Sequence, residues 1–254
     1  MSTVLSIANQ KGGVGKTTTA VNLSASLKAI NKSVLLIDMD PQGNATMGCG
    51  IDKYSLSNSI CEVLLGESNV DESIAKSEGV GIDLIPSNTD LVAAEVALLK
   101  NDRSEFKLKE SIKGIHKDYE YIIIDCPPSL NMLTINAFTA SDGIIIPMQC
   151  EYYALEGLSS LIQTIEKIKQ TTNPELEITG LVRTMYDTRN NLSHEVSTQL
   201  LEHFSNKVFN TVIPRNVKLA EAPSFGMSVI NYARRSKGSI SYSSLASEVL
   251  RKTQ

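Results

Sequence analysis

The densest run of chemically capable residues is Asn9-Gln10-Lys11-Gly12-Gly13-Val14-Gly15-Lys16-Thr17-Thr18. Glycines at 12, 13 and 15 let a backbone curl until its N–H groups converge on one point. Helical sequence follows at once, so the positive end of a helix dipole adds to the field there. The combination suits a phosphate chain. Gly12, Gly13, Val14, Gly15 and Thr18 would line it with backbone, Lys16 would pair with the outer phosphates, and the Thr17 hydroxyl would reach a divalent cation such as Mg²⁺. A glycine-rich surface turn is the competing reading, and the flanking strand and helix weigh against it.

The loop departs from the ordinary pattern G-x-x-x-x-G-K-[ST], which needs glycine at position 10, where Gln10 stands. A second lysine, Lys11, precedes the glycine pair instead. Two lysines in one loop repel each other. If Lys11 cannot fold back onto its own nucleotide, it is free to reach another copy's. A dinucleotide motif G-x-G-x-x-G fails because position 18 is Thr18.

Carboxylates at strand ends supply the other half of such a site. Leu35-Leu36-Ile37-Asp38-Met39-Asp40-Pro41 ends in two aspartates, and alternation is read as setting them on opposite sides of an extended strand, one for the metal shell and one for the attacking water. Tyr121-Ile122-Ile123-Ile124-Asp125-Cys126-Pro127 has the Walker B form, an apolar strand with a terminal carboxylate for the hydration shell of Mg²⁺. The guanine-reading N-K-x-D is missing: Asn31-Lys32-Ser33 runs into Val34, and Asn206-Lys207-Val208 into Phe209.

Positioning these groups needs a parallel sheet. Short runs rich in Val, Ile and Leu recur at Val4–Ala8, Ser33–Asp38, Ile82–Pro86, Tyr121–Asp125, Gly143–Met148, Ile178–Met185 and Val208–Ile213. Several lack polar alternation, as strands covered on both faces should. Helical spacing fills the gaps at Thr17–Ile30, Ser59–Leu65, Asp90–Lys100, Ser104–Ile115, Met132–Phe138, Leu155–Gln170, Ser193–Phe204 and Tyr242–Lys252. The rhythm predicts an α/β fold: a doubly wound, mostly parallel β-sheet with helices on both faces, P-loop NTPase-like, in a single domain over residues 1–254, with Asp40–Gly81 a variable insertion. Ligands on such sheets bind beyond the carboxyl ends of the strands, where the loop and aspartates fall.

On these residues the chain resembles the ParA/MinD family of P-loop ATPases, whose deviant Walker A motif looks like Lys11-Gly12-Gly13-Val14-Gly15-Lys16-Thr17-Thr18-Thr19. The resemblance implies that Lys11 crosses a dimer interface to the other subunit's nucleotide. Asp38-Met39-Asp40-Pro41-Gln42-Gly43-Asn44 resembles the partition-ATPase form of the second motif, which makes Asp40 the residue that positions or activates the hydrolytic water. Asp38 and Asp125 then belong to the metal's outer shell and Thr17 ligates it directly. Ile213-Pro214-Arg215-Asn216-Val217 resembles the family's adenine segment, with Pro214 packed on the ring and Asn216 bonded to its edge; on residues alone a strand-ending turn reads equally well.

Nearly the whole chain is similar to the short chromosomal ParA (Soj) proteins, notably Met148–Gly157 and Asn216–Ser224. What that implies is a cytoplasmic, nucleoid-associated ATPase. It would use ATP and Mg²⁺, form a homodimer when ATP-bound, bind nonspecific double-stranded DNA, and hydrolyse ATP slowly until a ParB-type centromere-binding partner stimulates it, for chromosome or plasmid segregation. The charge distribution agrees in kind: residues 183–254 hold ten of the 24 Lys and Arg but only five of the 28 Asp and Glu. Arg189, Arg215, Lys218, Arg234, Arg235 and Lys237 are the DNA-contact candidates, set to read phosphates rather than bases. Arg189 and Lys218 match positions implicated in DNA binding in the family, although Lys218 replaces an arginine common there and loses its planar fork.

Three other classes are weighed. A MinD-like membrane cycle needs a basic amphipathic tail, but Ser243–Gln254 has a short apolar face without Phe or Trp. Iron–sulfur carriers need C-x-x-C or interfacial cysteines, and Cys49, Cys61, Cys126 and Cys150 form no such pair. A small-molecule ligase or kinase with the same loop would depend on an added acceptor. No export leader or membrane-length apolar run is present, which predicts a soluble chain.

Overall fold

The computed structural model describes residues 2–100, 102–115 and 118–253. Eight strands form one sheet: β1 (Thr3–Ile7), β2 (Val34–Asp38), β3 (Ala75–Ser77), β4 (Ile82–Ile85), β5 (Tyr121–Asp125), β6 (Gly143–Gln149), β7 (Glu177–Tyr186) and β8 (Val208–Pro214). Their order across the sheet is β3-β4-β2-β5-β1-β6-β7-β8, and every pairing is parallel except that of β3 with β4. The helices are α1 (Lys16–Ala29), α2 (Asn44–Gly48), α3 (Ile60–Leu65), α4 (Leu91–Leu98), α5 (Lys107–Ser111), α6 (Met132–Ala140), α7 (Ala154–Thr171), α8 (Asn191–Phe204), α9 (Val217–Glu221), α10 (Val229–Tyr232) and α11 (Lys237–Thr253). This is the doubly wound α/β architecture expected.

Alternation along the central strands feeds two cores. Leu35, Ile37, Ile122, Ile124, Ile144 and Ile146 pack beneath α3 to α8, whereas Val34, Leu36, Tyr121, Ile123 and Ile145 pack beneath α1 and α11. α7 shows the one-sided stripe of a surface helix, burying Leu158, Leu161, Ile165 and Ile168. α1 is buried from Thr19 to Leu27, and its Ala and Ser residues allow the sheet and α11 to close on it from several sides. Ser59 caps α3 reciprocally with Glu62, an arrangement worth about 1 kcal/mol. In α11 Tyr242, Leu245, Ala246 and Val249 are buried in the second core, so this helix docks on its own domain face.

β1 lies between β5 and β6, while the chain leaves it first toward β2 and later toward β6. Connections therefore diverge beyond the carboxyl end of β1, opening the crevice in which such folds bind ligands. Register brings Ile7, Asp125 and Asp38 level on adjacent strands.

Some boundaries differ from the sequence reading. Within 40–81, the stretch expected as a variable insertion, the chain forms α2, α3 and β3, and β3 joins the sheet by antiparallel pairing with β4. The helix expected over Ser104–Ile115 is a 3₁₀ turn, the short α5 and a second 3₁₀ turn. α11 begins at Lys237, five residues early, because Ser236 caps it through the Ser239 N–H at 3.2 Å and Gly238 lies directly under Leu219.

Candidate nucleotide and magnesium site

The loop after β1 is shaped by its own polar side chains. Asn9 accepts the Lys11 N–H at 2.9 Å and donates to the Pro147 carbonyl at 2.8 Å, which fixes the exit from β1 against β6. Gly13 and Gly15 take φ of +74° and +86°, a region that strains any side chain. Thr184 of β7 donates to the Val14 carbonyl at 2.8 Å and pins the far side of the turn. Gly15 precedes α1 with no side-chain cap, and the first bond into the helix runs from Thr19 N–H to Gly15 O at 2.9 Å. The N–H groups of Lys16, Thr17 and Thr18 are thereby left pointing out of the helix end, available to an anion.

The two lysines part company. Lys16 is 8% exposed, and its ammonium folds back to donate to the Lys11 carbonyl at 3.2 Å. Burial lowers its pKa, against the pull of Asp125 and Asp40. Lys11 points away from the turn and is ion-paired with Glu151 beyond β6, with 42% of its side chain exposed.

The three aspartates converge but differ in their partners. Asp38 and Asp125 end neighbouring strands, fully buried, with their Cα atoms in register. The Asp38 carboxylate accepts the Thr46 N–H and hydroxyl, each at 2.8 Å, and the Asp40 N–H at 3.2 Å. Asp125 accepts nothing at either oxygen in strong geometry, although Thr17 lies close enough to favour its charged form. Burial, then Asp38, pushes Asp125 well above the usual carboxylate range; burial raises Asp38 to about 6. Two buried carboxylates side by side, one of them with unpartnered oxygens, call for a cation.

The donor set fits Mg²⁺, which the Thr17 hydroxyl would ligate directly with the hard carboxylate oxygens of Asp125 and Asp38 in its outer shell. Among the described residues no group of three or more His, Cys, Asp or Glu could hold a metal by itself, consistent with an ion that draws its remaining ligands from water and phosphate. His116 lies outside the described residues. The four cysteines are buried and free, and burial pushes the Cys126 thiol up to about 12, which keeps it protonated beside the site.

Opposite sides of a strand are not what separates Asp38 from Asp40. Residues two apart on an extended strand share a face, and β2 ends at Asp38. The separation comes from the turn that follows. Asp40 accepts the Gln42 N–H through Oδ1 at 2.9 Å, while its carbonyl takes the Ser87 hydroxyl at 2.8 Å.

A cleft of about 300 Å³ runs from Gly15 and Thr18 to Pro214 and Asn216, with Met185, Ile213 and Tyr242 among its apolar walls. It has room for a planar base beside the phosphate turn. Asn216 caps α9 through its side-chain oxygen, accepting the Lys218 N–H at 3.0 Å, so its amide NH₂ remains to donate. Met185, at φ +48°, and Thr184 escaped the sequence reading because nothing near them resembles a motif.

Of the basic candidates, Lys218 lies in α9, Arg215 follows the carboxyl end of β8 and Arg189 that of β7. Arg189 is 88% exposed on its side chain and forks onto Asp187, whose carboxyl it holds well below the usual range, with Arg215 adding to the effect. Lys218 pairs with Glu221 at 2.8 Å and lies over the Tyr232 ring. Arg234 and Arg235 follow α10, and Lys237 opens α11 where Gly238 packs on Leu219 of α9. Other charges of the basic end go elsewhere. Arg183 is buried, bonded to Ser197 and to the Phe209 and Asn210 carbonyls. Lys207 and Lys252 lie at the starts of β7 and β8, on Glu177 and on the Thr179 and Asn206 carbonyls.

Comparison with known proteins gives this site its family. Residues 2–178 match the AAA domain family model AAA_31. The chromosome partitioning protein ParA of Caulobacter vibrioides is 49% identical over 249 residues, covering 97% of this chain and 93% of that protein. The sporulation initiation inhibitor protein Soj of Bacillus subtilis is 48% identical over 249 residues, 98% of each. Among solved structures, cobyrinic acid a,c-diamide synthase from Mycobacterium smegmatis with bound ATP analog and magnesium superposes with a TM-score of 0.88 at 37% identity, over 99% of this chain and 95% of that one. With a P-loop, strand-end aspartates and relatives this close over almost its whole length, the chain belongs to the ParA/Soj family of chromosome-partitioning ATPases.

Proposed function

We propose that the chain, acting as one domain over residues 1–254, is an ATP-driven DNA-partitioning switch. ATP lies with its phosphates on the Gly12–Thr18 turn and its base in the cleft beside Pro214 and Asn216. Lys16 neutralises the outer phosphates. Thr17 would ligate Mg²⁺, with Asp125 and Asp38 in its outer shell; the ion would supply charge neutralisation along the phosphates. Asp40 orients a water whose oxygen adds to the γ-phosphorus as the bond to the bridging oxygen breaks. ADP leaves with that electron pair, and the water's protons pass to the departing phosphate or transiently to Asp40.

One observation carries the step from ATPase to switch: the two lysines of a single loop point in different directions. Lys16 serves its own turn, and Lys11, on an exposed rim, serves the nucleotide of a second copy. ATP thus makes a homodimer, which doubles the basic edge formed by Arg189, Arg215, Lys218, Arg234, Arg235 and Lys237. Weak phosphate contacts from one copy become firm binding to nonspecific double-stranded DNA through multivalency. Hydrolysis, slow alone and stimulated by a ParB-type centromere-binding partner, returns the chain to monomers and releases it from the nucleoid.

The test is DNA binding across a salt series with ATP, ADP and no nucleotide. ATP alone should give tight, steeply salt-dependent binding. Equal binding in all three states would remove the switch. A second reading, a small-molecule ligase, has support in the Mycobacterium smegmatis structure. ATP turnover that requires an added carboxylic acid and an amine donor, and ignores DNA, would favour it. No helix among the described residues is long and apolar enough to cross a membrane.

A further inference from the structure

We propose that Thr46 and Ser87 are positioning residues for hydrolysis, holding Asp38 and Asp40 in their working geometry through one buried hydrogen-bond relay. The inference rests on Asp40 as the residue that orients the water. Thr46 lies in α2 and Ser87 just beyond β4, outside every motif of the phosphate site, and both are fully buried.

The Thr46 hydroxyl is used in both directions. It donates to Asp38 Oδ2 at 2.8 Å and accepts the Ser87 N–H at 2.9 Å, while the Thr46 N–H makes a second bond to the same Asp38 oxygen at 2.8 Å. Ser87 closes the relay by donating its hydroxyl to the Asp40 carbonyl at 2.8 Å. Between them Gly43, at φ +60°, passes so close that a Cβ there would meet the Ser87 carbonyl oxygen at 2.7 Å. The segment from Asp40 to Thr46 is therefore joined to the end of β4 by two hydrogen bonds, with Gly43 passing closely between them.

The relay touches no part of the phosphate turn. Its bonds end on the Asp38 carboxylate and on the backbone carbonyl of Asp40, so it governs where Asp38 and the turn carrying Asp40 stand and leaves the grip of Gly15 and Lys16 alone. Loosening it should slow the chemical step while sparing ATP affinity, since misplacing a catalytic group by an ångström costs on the order of a hundredfold.

The experiment measures single-turnover phosphate release and, by calorimetry, ATP affinity in Mg²⁺ for the full chain and for Thr46→Val, Thr46→Ser and Ser87→Ala. Release should fall about ten- to hundredfold in Thr46→Val and Ser87→Ala with ATP affinity within about twofold of the parent, and Thr46→Ser, which keeps the hydroxyl, should recover most of the rate. Should Thr46→Val not fold, Ser87→Ala carries the same test with the Thr46–Asp38 bonds intact. Folded variants releasing phosphate at the parental rate overturn the proposal, as does affinity falling in step with rate. A parent chain that binds ATP and never releases phosphate overturns the ATPase reading and this inference together.

Discussion

The carboxyl ends of β1, β2 and β5 and the edge around α9 hold charge by opposite means. At the first, Asp38 and Asp125 are fully buried and raised in pKa by their burial, with Lys16 nearly buried beside them. At the second, Arg189 and Lys218 stand in solvent, paired with Asp187 and Glu221 on their own or the next turn of chain. A buried charge is costly unless met by its counter-charge, so the first region is specific for a ligand that completes it. An exposed pair is worth about 0–1 kcal/mol, so the second can exchange its carboxylates for any phosphate backbone. Under the proposed function, discrimination resides in the first region and sequence-independent binding in the second.

Substitutions should expose that difference in graded fashion. Lys16→Ala removes the buried cation and should weaken ATP binding by about a hundredfold or more, measured by calorimetry; unchanged affinity would detach Lys16 from the phosphates. Asp40→Ala should leave ATP affinity intact and slow phosphate release by roughly a hundredfold, so that ATP-bound dimers accumulate in light scattering. Only monomers with ATP would speak against its role. Arg189→Ala should leave dimerisation alone and lower DNA affinity several-fold, reducing the slope of log K against log salt by about 0.9 per copy. Smallest of all, Glu221→Gln frees Lys218 and should tighten DNA binding by no more than about fivefold, within what an exposed pair contributes. If that change matched Lys16→Ala in size, the contrast between the regions would be lost.

The two regions were also unequally legible in the sequence. The phosphate turn could be read because its parts are contiguous, and the aspartates because each terminates an apolar strand. The cleft proposed for the base was half visible: Pro214 and Asn216 carried a resemblance, whereas Thr184 and Met185 enter it only because β7 pairs with β6 and β8. Thr46 and Ser87 gave no signal, since residues 41 apart meet only through the pairing of β2 with β4. The basic end looked richer than it is. Arg183 is consumed by packing and Lys252 by carbonyls at the other end of the sheet, facts that a charge count cannot carry. Lys237 and Gly238 read as loop because glycine is a poor helix former, yet only a residue without a Cβ fits beneath Leu219.

Whether one copy's Lys11 completes the other's nucleotide site can be measured directly as molar mass. In an Asp40→Ala background with ATP and Mg²⁺, light scattering should give twice the mass of one chain; adding Lys11→Ala should return it to one chain while calorimetry shows ATP still bound. A doubled mass that survives the loss of Lys11, or ATP affinity that vanishes with it, would contradict the crossing lysine and the switch built on it.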